Sequence, residues 1–370
     1  MVDKSNKIIK FVNQIDAMMK KQVNDIFSRR LRQARLMKGF SLEKLSQVVT
    51  PAVTRQAINK YEKGLMMPDS RVLIALAAAL GVKIDYFFRP FTVEVEHVEF
   101  RKKPRFPERM AAAVREKVRE ELERYLEVEQ ICGCPTDFSM PRKIVRTVAE
   151  AAAHADELRK YLSLGNGGVS NVIEVLEEYG VKVIEIAEDK DFDGLSGYAN
   201  GSIPLIVING NFVTERKRFT ALHELGHLLL DIPADVPSRD VENICNAFAS
   251  EFLLPMNVLK VKVGNSRHDI SLSELTDIQC QFGISVDDIM LALQAGGVIT
   301  PNRYSGYQAK KKRLPDFKAL TEKSRAVAER SGRFVRIVYR ALADESITYS
   351  KAAALLNTSV ESVRSHLQLV

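Results

Sequence analysis

The chain lacks the features that mark secreted or membrane-spanning proteins. Its 370 residues include no tryptophan and only four cysteines, Cys132, Cys134, Cys245 and Cys280. Four irregularly spaced cysteines are too few for a disulfide framework in a chain of this size, so we interpret them as reduced thiols. No apolar run reaches the ~20 residues of a membrane helix, and the amino terminus lacks the sustained apolar core of a secretion signal. We therefore expect a cytoplasmic protein with no membrane partner.

The composition is that of an ordinary globular protein, 46% hydrophobic and 27% charged, with a net charge of +7. The positive charge is concentrated in two blocks. Residues 29–63 hold nine Lys and Arg against two acidic residues, and residues 303–336 hold eleven against three. Such blocks indicate an anionic partner, although either block alone is also compatible with a solvated surface.

The amino-terminal part of the chain has the pattern of several short helices. Leu31 and Ala34 belong to a first short helix that ends near Gly39, and Ser41 is placed to cap a second helix. The stretch "TPAVTRQAINKYEKG" contains a turn and the start of a third helix. A fourth helix carries apolar residues from Val72 onward and ends at Gly81. About sixty residues are thus expected to form a compact all-α domain.

This segment resembles the helix-turn-helix of the phage-repressor (XRE, Cro/CI-like) family. The residues that carry the resemblance are Ser41-Leu42, Leu45, Ile58, the "YEKG" at 61–64, Pro68 and the "ALAAALGV" at 75–82. The resemblance implies binding of double-stranded DNA, with the third helix in the major groove. The side chains it places at the DNA are Thr54, Arg55, Gln56, Asn59, Lys60 and Lys44. Arg and Gln read guanine and adenine edges, whereas Lys suits phosphates.

A second motif lies in "RFTALHELGHLLL" at 218–230, where polar residues interrupt an apolar helix. Residues four apart share a helix face, so His223 and His227 point the same way and Glu224 lies beside them. This is the H-E-x-x-H zinc signature, in which two imidazoles hold Zn²⁺ and the glutamate is the general base. Gly226, between the ligands, allows close approach of a backbone or a substrate. Three short strand candidates precede this helix at 180–187, 195–201 and 203–210.

A catalytic zinc site needs three protein ligands and one open position. The downstream helix "DVENICNAFASEFLLP" offers Glu242 and Glu251, which face opposite sides of one helix. Glu242 shares its face with Asn246, an amide able to hydrogen-bond a ligand. Glu251 lies near the carboxyl end, where the helix dipole disfavours a carboxylate. The residue pattern favours Glu242 and leaves Glu251 as the alternative. Tyr198, Arg216, Arg218 and His268 are candidates for stabilising an oxyanion.

The two helices together resemble the ImmA/IrrE family of metallopeptidases, through "RFTALHELGHLLL" and "ENICNAFASEFLLP". In this family the glutamate that binds the metal lies four residues before an asparagine, and the resemblance therefore implies Glu242, four residues before Asn246, as the third ligand. The resemblance implies a zinc metalloendopeptidase that cuts a specific protein partner, such as a repressor or toxin, or itself, often in a stress response or mobile element. The alternative is a regulator or type II antitoxin whose zincin fold senses a partner or metal and cuts nothing. A homodimer is expected because such DNA-binding modules usually read paired half-sites.

These patterns predict a mainly α protein with an α+β part, organised in five regions. We expect an amino-terminal helix at 1–24, an all-α helix-turn-helix domain at 25–90 and a helical connector at 91–165. A zincin-like metallopeptidase domain with a small β-sheet follows at 166–300. A basic helical region at 301–370 completes the chain.

Overall fold

The computed structural model describes residues 2–91, 95, 98–100, 108–188 and 191–367. The chain divides into two compact units, one formed by Met1–Val95 with Lys102–Glu127 and one by Glu96–Arg101 with Val128–Val370. Among the described residues, no helix is both long enough and apolar enough to cross a membrane.

Helices dominate the described part of the chain, and six short strands accompany them. In chain order the elements are α1 (Val2–Met37), α2 (Leu42–Val48), α3 (Arg55–Glu62), α4 (Ser70–Leu80), a 3-10 helix (Ile84–Phe88), β1 (Val98–Phe100), α5 (Glu108–Cys132), β2 (Lys143–Ile144), α6 (Val148–Tyr161), α7 (Val172–Glu178), β3 (Lys182–Ile186), β4 (Gly194–Ala199), β5 (Ile203–Asn209), α8 (Thr214–Leu229), β6 (Leu230–Asp231), α9 (Ser238–Leu253), α10 (Met256–Val263), α11 (Leu272–Phe282), α12 (Val286–Ala295), α13 (Pro301–Arg313), α14 (Pro315–Glu322), α15 (Arg333–Ala343), α16 (Tyr349–Leu355) and α17 (Val360–His366). The predicted fold class, mainly α with an α+β part, is confirmed.

The helices of the first unit begin and end where local side-chain chemistry dictates. The Ser41 hydroxyl accepts a hydrogen bond from the backbone N–H of Lys44 and caps α2, as predicted. Asp69 caps α4 in the same way, through the N–H of Val72. Gly81 ends α4 in the left-handed conformation, with φ of 68°, as its position in the sequence predicted. One apolar core, which includes Phe27, Leu31, Leu45, Ile58, Leu76, Leu80 and Phe87, holds these helices together.

The first helix differs from the prediction. We expected an amino-terminal helix at 1–24 and a separate first short helix of the DNA-binding domain, but α1 runs without a break from Val2 to Met37. The continuity has a simple cause, because no Gly or Pro occurs among these residues to interrupt the helix. The carboxyl-terminal part of α1 enters the core through Phe27, Leu31 and Ala34.

The second unit contains a four-stranded sheet in the order β1-β4-β5-β3. Strands β4 and β5 are antiparallel with Gly194 opposite Ile208, whereas β3 and β5 are parallel. The three strand candidates predicted from the sequence correspond to β3, β4 and β5. Helix α8 contacts both β4 and β5, and it contacts α9 on another side. One apolar core unites α6 to α13 with the inner face of this sheet.

A buried ionic network in the first unit joins α1 to α5. Arg30 is only 1% exposed, and its Nη1 donates to Glu123 Oε2 at 2.6 Å and to Glu120 Oε2 at 3.3 Å. The Arg30 guanidinium also lies 3.7 Å from the centroid of the Phe91 ring. Arg89 is the second cation of the network, and its Nη2 donates a hydrogen bond to Glu120 Oε2 at 2.7 Å. A buried cation of this kind depends on its carboxylate partners because it has lost its hydration.

We predict that Glu123→Ala destabilises the protein by about 3 kcal/mol, since it leaves the buried Arg30 with a single carboxylate, that of Glu120, which Arg89 also contacts. The control is Glu43→Ala on α2 of the same unit, whose side chain is exposed. That change should cost no more than about 1 kcal/mol. Urea unfolding of the full chain, followed by far-ultraviolet circular dichroism, measures both. Equal effects of the two substitutions would contradict this account of the network.

Candidate metal centre and DNA-binding surface

Helix α8 is almost entirely enclosed by the rest of the second unit. Thirteen of its sixteen residues are buried, among them His223, Glu224 and His227. A buried imidazole, carboxylate or guanidinium costs several kcal/mol unless it finds a partner. Each buried polar side chain of α8 therefore needs a hydrogen-bond or ionic partner in the surrounding structure.

The structure brings His223, His227 and Glu242 together. The two imidazoles lie on one face of α8, with ring centroids 4.9 Å apart. Glu242, from α9, places its carboxylate oxygens 3.2 Å from Nε2 of His223 and 3.6 Å from Nε2 of His227. One ligand atom from each residue lies within 4.8 Å of the others, so this group could hold a metal ion. The Glu242 side chain is 53% exposed, so solvent reaches the cluster from that side.

The far nitrogen of each imidazole has its own partner on α9. Nδ1 of His223 lies 2.8 Å from Oδ1 of Asn246, and Nδ1 of His227 lies 3.4 Å from the buried Sγ of Cys245. The Asn246 oxygen accepts a hydrogen bond from the Nδ1–H of His223, so Nε2 of this imidazole carries the lone pair and faces Glu242. Three residues of α9 thus supply the carboxylate and the two groups that orient the imidazoles. The donor set fits Zn²⁺, which favours imidazole nitrogen and carboxylate oxygen.

Glu224 lies beside the cluster and is held from the sheet. The hydroxyl group of Ser196, on β4, donates a hydrogen bond to Glu224 Oε2 at 2.8 Å, and both residues are 1% exposed. The strand comes this close because position 194 is glycine. A Cβ there would lie 2.6 Å from the Thr220 methyl group and 2.8 Å from the Val207 carbonyl oxygen. No sequence motif singled out Ser196, since its contact with Glu224 crosses 28 residues of chain.

Glu251, the alternative third ligand, has a different task. Its carboxylate accepts a hydrogen bond from the Met256 N–H at 2.9 Å, at the start of α10. Burial raises the pKa of this carboxyl group. Among the described residues, the group that could hold a metal ion consists of His223, His227 and Glu242 and does not include Glu251.

Gly226 has a packing role. A Cβ at this position would lie 3.4 Å from both Cys245 Cβ and Phe248 Cδ1, so it would touch α9. These are ordinary contact distances to side chains of α9, so α9 packs directly against α8 at this glycine.

The four side chains considered for an oxyanion have separate surroundings. Arg218 is buried and forms an ion pair with Glu329, and its Nη2 also donates to the Val169 carbonyl at 2.7 Å. Arg216 forms an exposed ion pair with Asp193. His268 is exposed, and Tyr198 is half-buried on β4. The guanidinium of Arg218, one of these four candidates, is engaged by a carboxylate and by the Val169 and Phe282 carbonyls.

The segment after α14 is tied to the first turn of α8. Glu215 accepts hydrogen bonds from the Ser324 hydroxyl at 2.6 Å, from the Arg325 N–H at 2.8 Å and from the Ala326 N–H at 3.1 Å. Burial alone would raise the pKa of Glu215, but these hydrogen bonds lower it. This segment and Glu329 therefore provide the polar partners of Glu215 and Arg218, the two charged side chains buried in the first half of α8. The sequence contained no signal for these contacts, which span more than 100 residues.

Of the residues predicted to face DNA, Thr54, Arg55 and Gln56 lie at the amino-terminal end of α3, whereas Asn59 and Lys60 lie in its second half. Thr54 caps the helix by accepting a hydrogen bond from the Ala57 N–H at 3.2 Å. The exposed residues are Thr54, Arg55, Gln56, Lys60 and, on α2, Lys44, and Asn59 is half-buried. Ile58 and Tyr61 point into the core and fix which side of α3 is presented to solvent.

A buried ion pair that the sequence did not predict anchors the end of α3. Arg35 of α1 donates from Nε to Glu62 Oε1 at 2.6 Å and from Nη2 to Glu62 Oε2 at 2.8 Å. Its Nη1 donates to the Phe40 carbonyl at 2.7 Å. This paired geometry holds α3 against α1 more rigidly than a single contact would.

Curated relatives resemble part of the chain. The SPbeta prophage-derived uncharacterized HTH-type transcriptional regulator YonR of Bacillus subtilis (strain 168) is 34% identical over 64 residues, which are 17% of this chain and 57% of YonR. The uncharacterized HTH-type transcriptional regulator RC0668 of Rickettsia conorii is 31% identical over 83 residues, 20% of this chain and 65% of that protein. The chain thus spans about six tenths of the length of these relatives. The apo form of ComR from S. thermophilus is 14% identical over 92% of this chain and 98% of that chain, with a TM-score of 0.16, too low to support a statement on the fold.

Two family models match separate regions of the chain. Residues 31–87 match the helix-turn-helix model, which covers α2, α3 and α4. Residues 176–289 match the model of the IrrE N-terminal-like domain, which covers the sheet strands β3 to β5 and the helices α8 and α9. Both resemblances drawn from the sequence are confirmed: the chain joins an XRE-type helix-turn-helix region to an IrrE N-terminal-like domain.

Proposed function

We propose that the protein is a cytoplasmic DNA-binding transcription regulator whose IrrE-like domain is a zinc-dependent endopeptidase acting on a specific protein partner. The cluster of His223, His227 and Glu242, with Glu224 beside it, is the observation that carries this proposal. The match of residues 31–87 to the helix-turn-helix model supports the regulatory part. The substrate would be a repressor, a toxin or a second segment of this protein.

The ligands proposed for zinc are Nε2 of His223, Nε2 of His227 and a carboxylate oxygen of Glu242. When bound, zinc would polarise the scissile carbonyl and make a water molecule acidic enough to attack it near neutral pH. Asn246 and Cys245 hold the two rings so that their lone pairs converge. The exposure of Glu242 leaves a side through which a peptide can approach.

Glu224 is the proposed general base. Its carboxylate would accept a proton from the attacking water and deliver it to the leaving nitrogen as the peptide C–N bond breaks. Ser196 binds one carboxylate oxygen, Oε2, and so directs the other oxygen for proton transfer. Because both residues are buried, the base is held in a fixed position before substrate binds.

On DNA, Arg55 and Gln56 are the proposed base-reading residues, and Lys44 is the proposed phosphate contact. Arg55 and Gln56 stand in the first turn of α3, where a recognition helix meets base edges. Thr54, Asn59 and Lys60 complete the proposed surface.

We predict that Glu242→Gln weakens zinc binding by about 100-fold or more. Loss of a group outside the ligand set already costs about 10–100-fold, so loss of a ligand should cost at least as much. The matched control is Glu251→Gln on the same helix, which keeps an oxygen for the Met256 N–H and should bind zinc like the wild type. Competition against a chelating dye measures both affinities. The ligand set is wrong if Glu251→Gln weakens binding and Glu242→Gln does not.

We predict that Glu224→Gln retains zinc but generates no cleavage products, because the amide cannot accept the proton of the attacking water. Cells carrying the wild-type chain or this variant would be compared by labelling new protein amino termini, with bound zinc measured in the purified proteins. Cleavage sites present only with the wild type support the enzyme and identify its partner. Identical amino termini, together with unchanged gene regulation, would instead favour a regulator or antitoxin that cuts nothing.

We predict that Arg55→Ala relaxes the DNA sequence that the protein selects, at a cost of about 1–3 kcal/mol on its best site. Lys44→Ala should weaken binding evenly across sequences and reduce the salt dependence by about one phosphate contact. Selection from random duplexes, followed by affinity measurements at several salt concentrations, distinguishes the two. Recovery of the same sequence by Arg55→Ala would remove this residue from the base-reading set.

A further inference from the structure

Two of the four free cysteines lie together at the carboxyl end of α5. Cys132 is the last residue of this helix, and Cys134 follows after one glycine. Gly133 is left-handed, with φ of 58°. Its N–H donates to the Gln130 carbonyl at 3.3 Å, and the Cys134 N–H donates to the Glu129 carbonyl at 3.0 Å. These two hydrogen bonds form a Schellman motif, in which the chain folds back over the last turn of the helix.

The folded-back turn brings the two cysteines within the reach of a disulfide. A residue in a helical conformation, of either hand, separates the Cα atoms of its neighbours by about 5.4 Å. Disulfides join Cα atoms that are roughly 4.4–6.8 Å apart. Gly133 therefore gives the Cys-Gly-Cys segment a backbone that a bridge between its cysteines can adopt.

Both cysteines lie against the same face of α15. The Cys132 thiol donates to the Ile337 carbonyl, with Sγ 3.8 Å from the oxygen, and the Cys134 carbonyl accepts from Nη2 of Arg333 at 2.7 Å. Arg333 and Ile337 are four residues apart, so they share one face of the helix. Both cysteine side chains are half-buried and pack on the apolar cluster that α15, α16 and α17 form.

The two thiols differ in how readily they ionise. Burial raises the pKa of the Cys132 thiol, and the neighbouring Cys134 raises it further through its charge and a side-chain hydrogen bond. Cys132 therefore keeps its proton at neutral pH. Since the thiolate is the nucleophile in disulfide exchange, Cys132 is suited to the second step of such a reaction rather than the first.

We propose that Cys132 and Cys134 form a dithiol that a low-molecular-weight disulfide oxidises to an intramolecular bridge. The Cys134 thiolate attacks one sulfur of the reagent, the S–S bond of the reagent breaks, and the first thiol leaves with the proton that Cys134 lost. Cys132 then gives up its proton and attacks Sγ of Cys134, which releases the second thiol. The two released thiols carry the two electrons and two protons that the protein loses. Cytosolic disulfides are mostly transient or redox-sensing, which agrees with such a reversible bridge.

Closing the bridge changes the contacts between α5 and α15. The bridge removes the proton that Cys132 donates to the Ile337 carbonyl. It also constrains the Cys134 carbonyl, which binds Arg333, and Arg333 forms an ion pair with the buried Glu129 of α5. The oxidation state of the pair therefore acts on the joint between the end of α5 and the carboxyl-terminal helices.

The test exposes the reduced full chain to mixtures of glutathione disulfide and glutathione. The share of the disulfide is raised until Cys280, which is exposed and serves as the internal control, carries glutathione. Remaining thiols are then alkylated with N-ethylmaleimide. Trypsin leaves Cys132 and Cys134 in one peptide, because no Lys or Arg lies between residues 124 and 142. Mass spectrometry reports whether this peptide is bridged, alkylated or joined to glutathione.

We expect the wild type to yield the bridged peptide, about 100-fold in excess over its glutathione adduct, because the second thiol is held beside the first. Cys132→Ser removes the resolving thiol and should accumulate the glutathione adduct of Cys134. A wild-type peptide that stays unbridged while Cys280 is modified, or that is joined to another cysteine or another chain, overturns the proposal. Neither zinc nor DNA takes part in the bridge, so failure of the proposed function would leave this result unaffected.

Discussion

The burial of α8 is the constraint on which the second unit depends. A helix with five buried ionisable side chains can be enclosed only if each of the five finds a partner, because an unpaired buried charge costs more free energy than burial of the surrounding apolar residues contributes. In this structure Glu215 meets the segment at 324–326, Arg218 meets Glu329, and the two imidazoles meet α9. Glu224 meets β4. The need to pair the buried polar side chains of α8 therefore positions β4, α9 and the segment at 324–329.

This requirement links the candidate centre to parts of the chain outside the family match. The matched region ends at residue 289, yet Glu329 and the segment at 324–326 provide the partners of Arg218 and Glu215. Glu329 also accepts a hydrogen bond from the Val172 N–H at 3.0 Å, at the start of α7. Burial raises the pKa of Glu329, although the charge of Arg218 acts to lower it. The residues after α14 are therefore part of the scaffold that holds the helix of the histidine pair.

What the sequence predicted correctly rests on short-range chemistry. The spacing of His223 and His227 fixes their common helix face, and capping by Ser41 or termination at Gly81 depends on one or two neighbouring residues. Ser196, Cys245 and Glu329 escaped prediction because their contacts join distant parts of the chain, and no local pattern distinguishes them. The partner of Arg218 escaped prediction for the same reason: only the folded chain shows that the carboxylate of Glu329 contacts its guanidinium. The continuity of α1 is a different case, since the absence of a helix-breaking residue was visible in the sequence.

Two contacts in the first unit fix how α1 lies relative to the proposed DNA surface of α3. Asn24 of α1 donates from Nδ2 to the Gly64 carbonyl at 2.5 Å, just after α3. Arg35 and Glu62 join the two helices again near the other end of this stretch of α1. A helix held at two points cannot rotate about its axis without breaking one of them. The direction in which α3 presents Arg55 is therefore set by the part of α1 from Asn24 to Arg35. A rotation of α3 by one residue, about 100°, would turn Arg55 and Gln56 away from the proposed DNA surface.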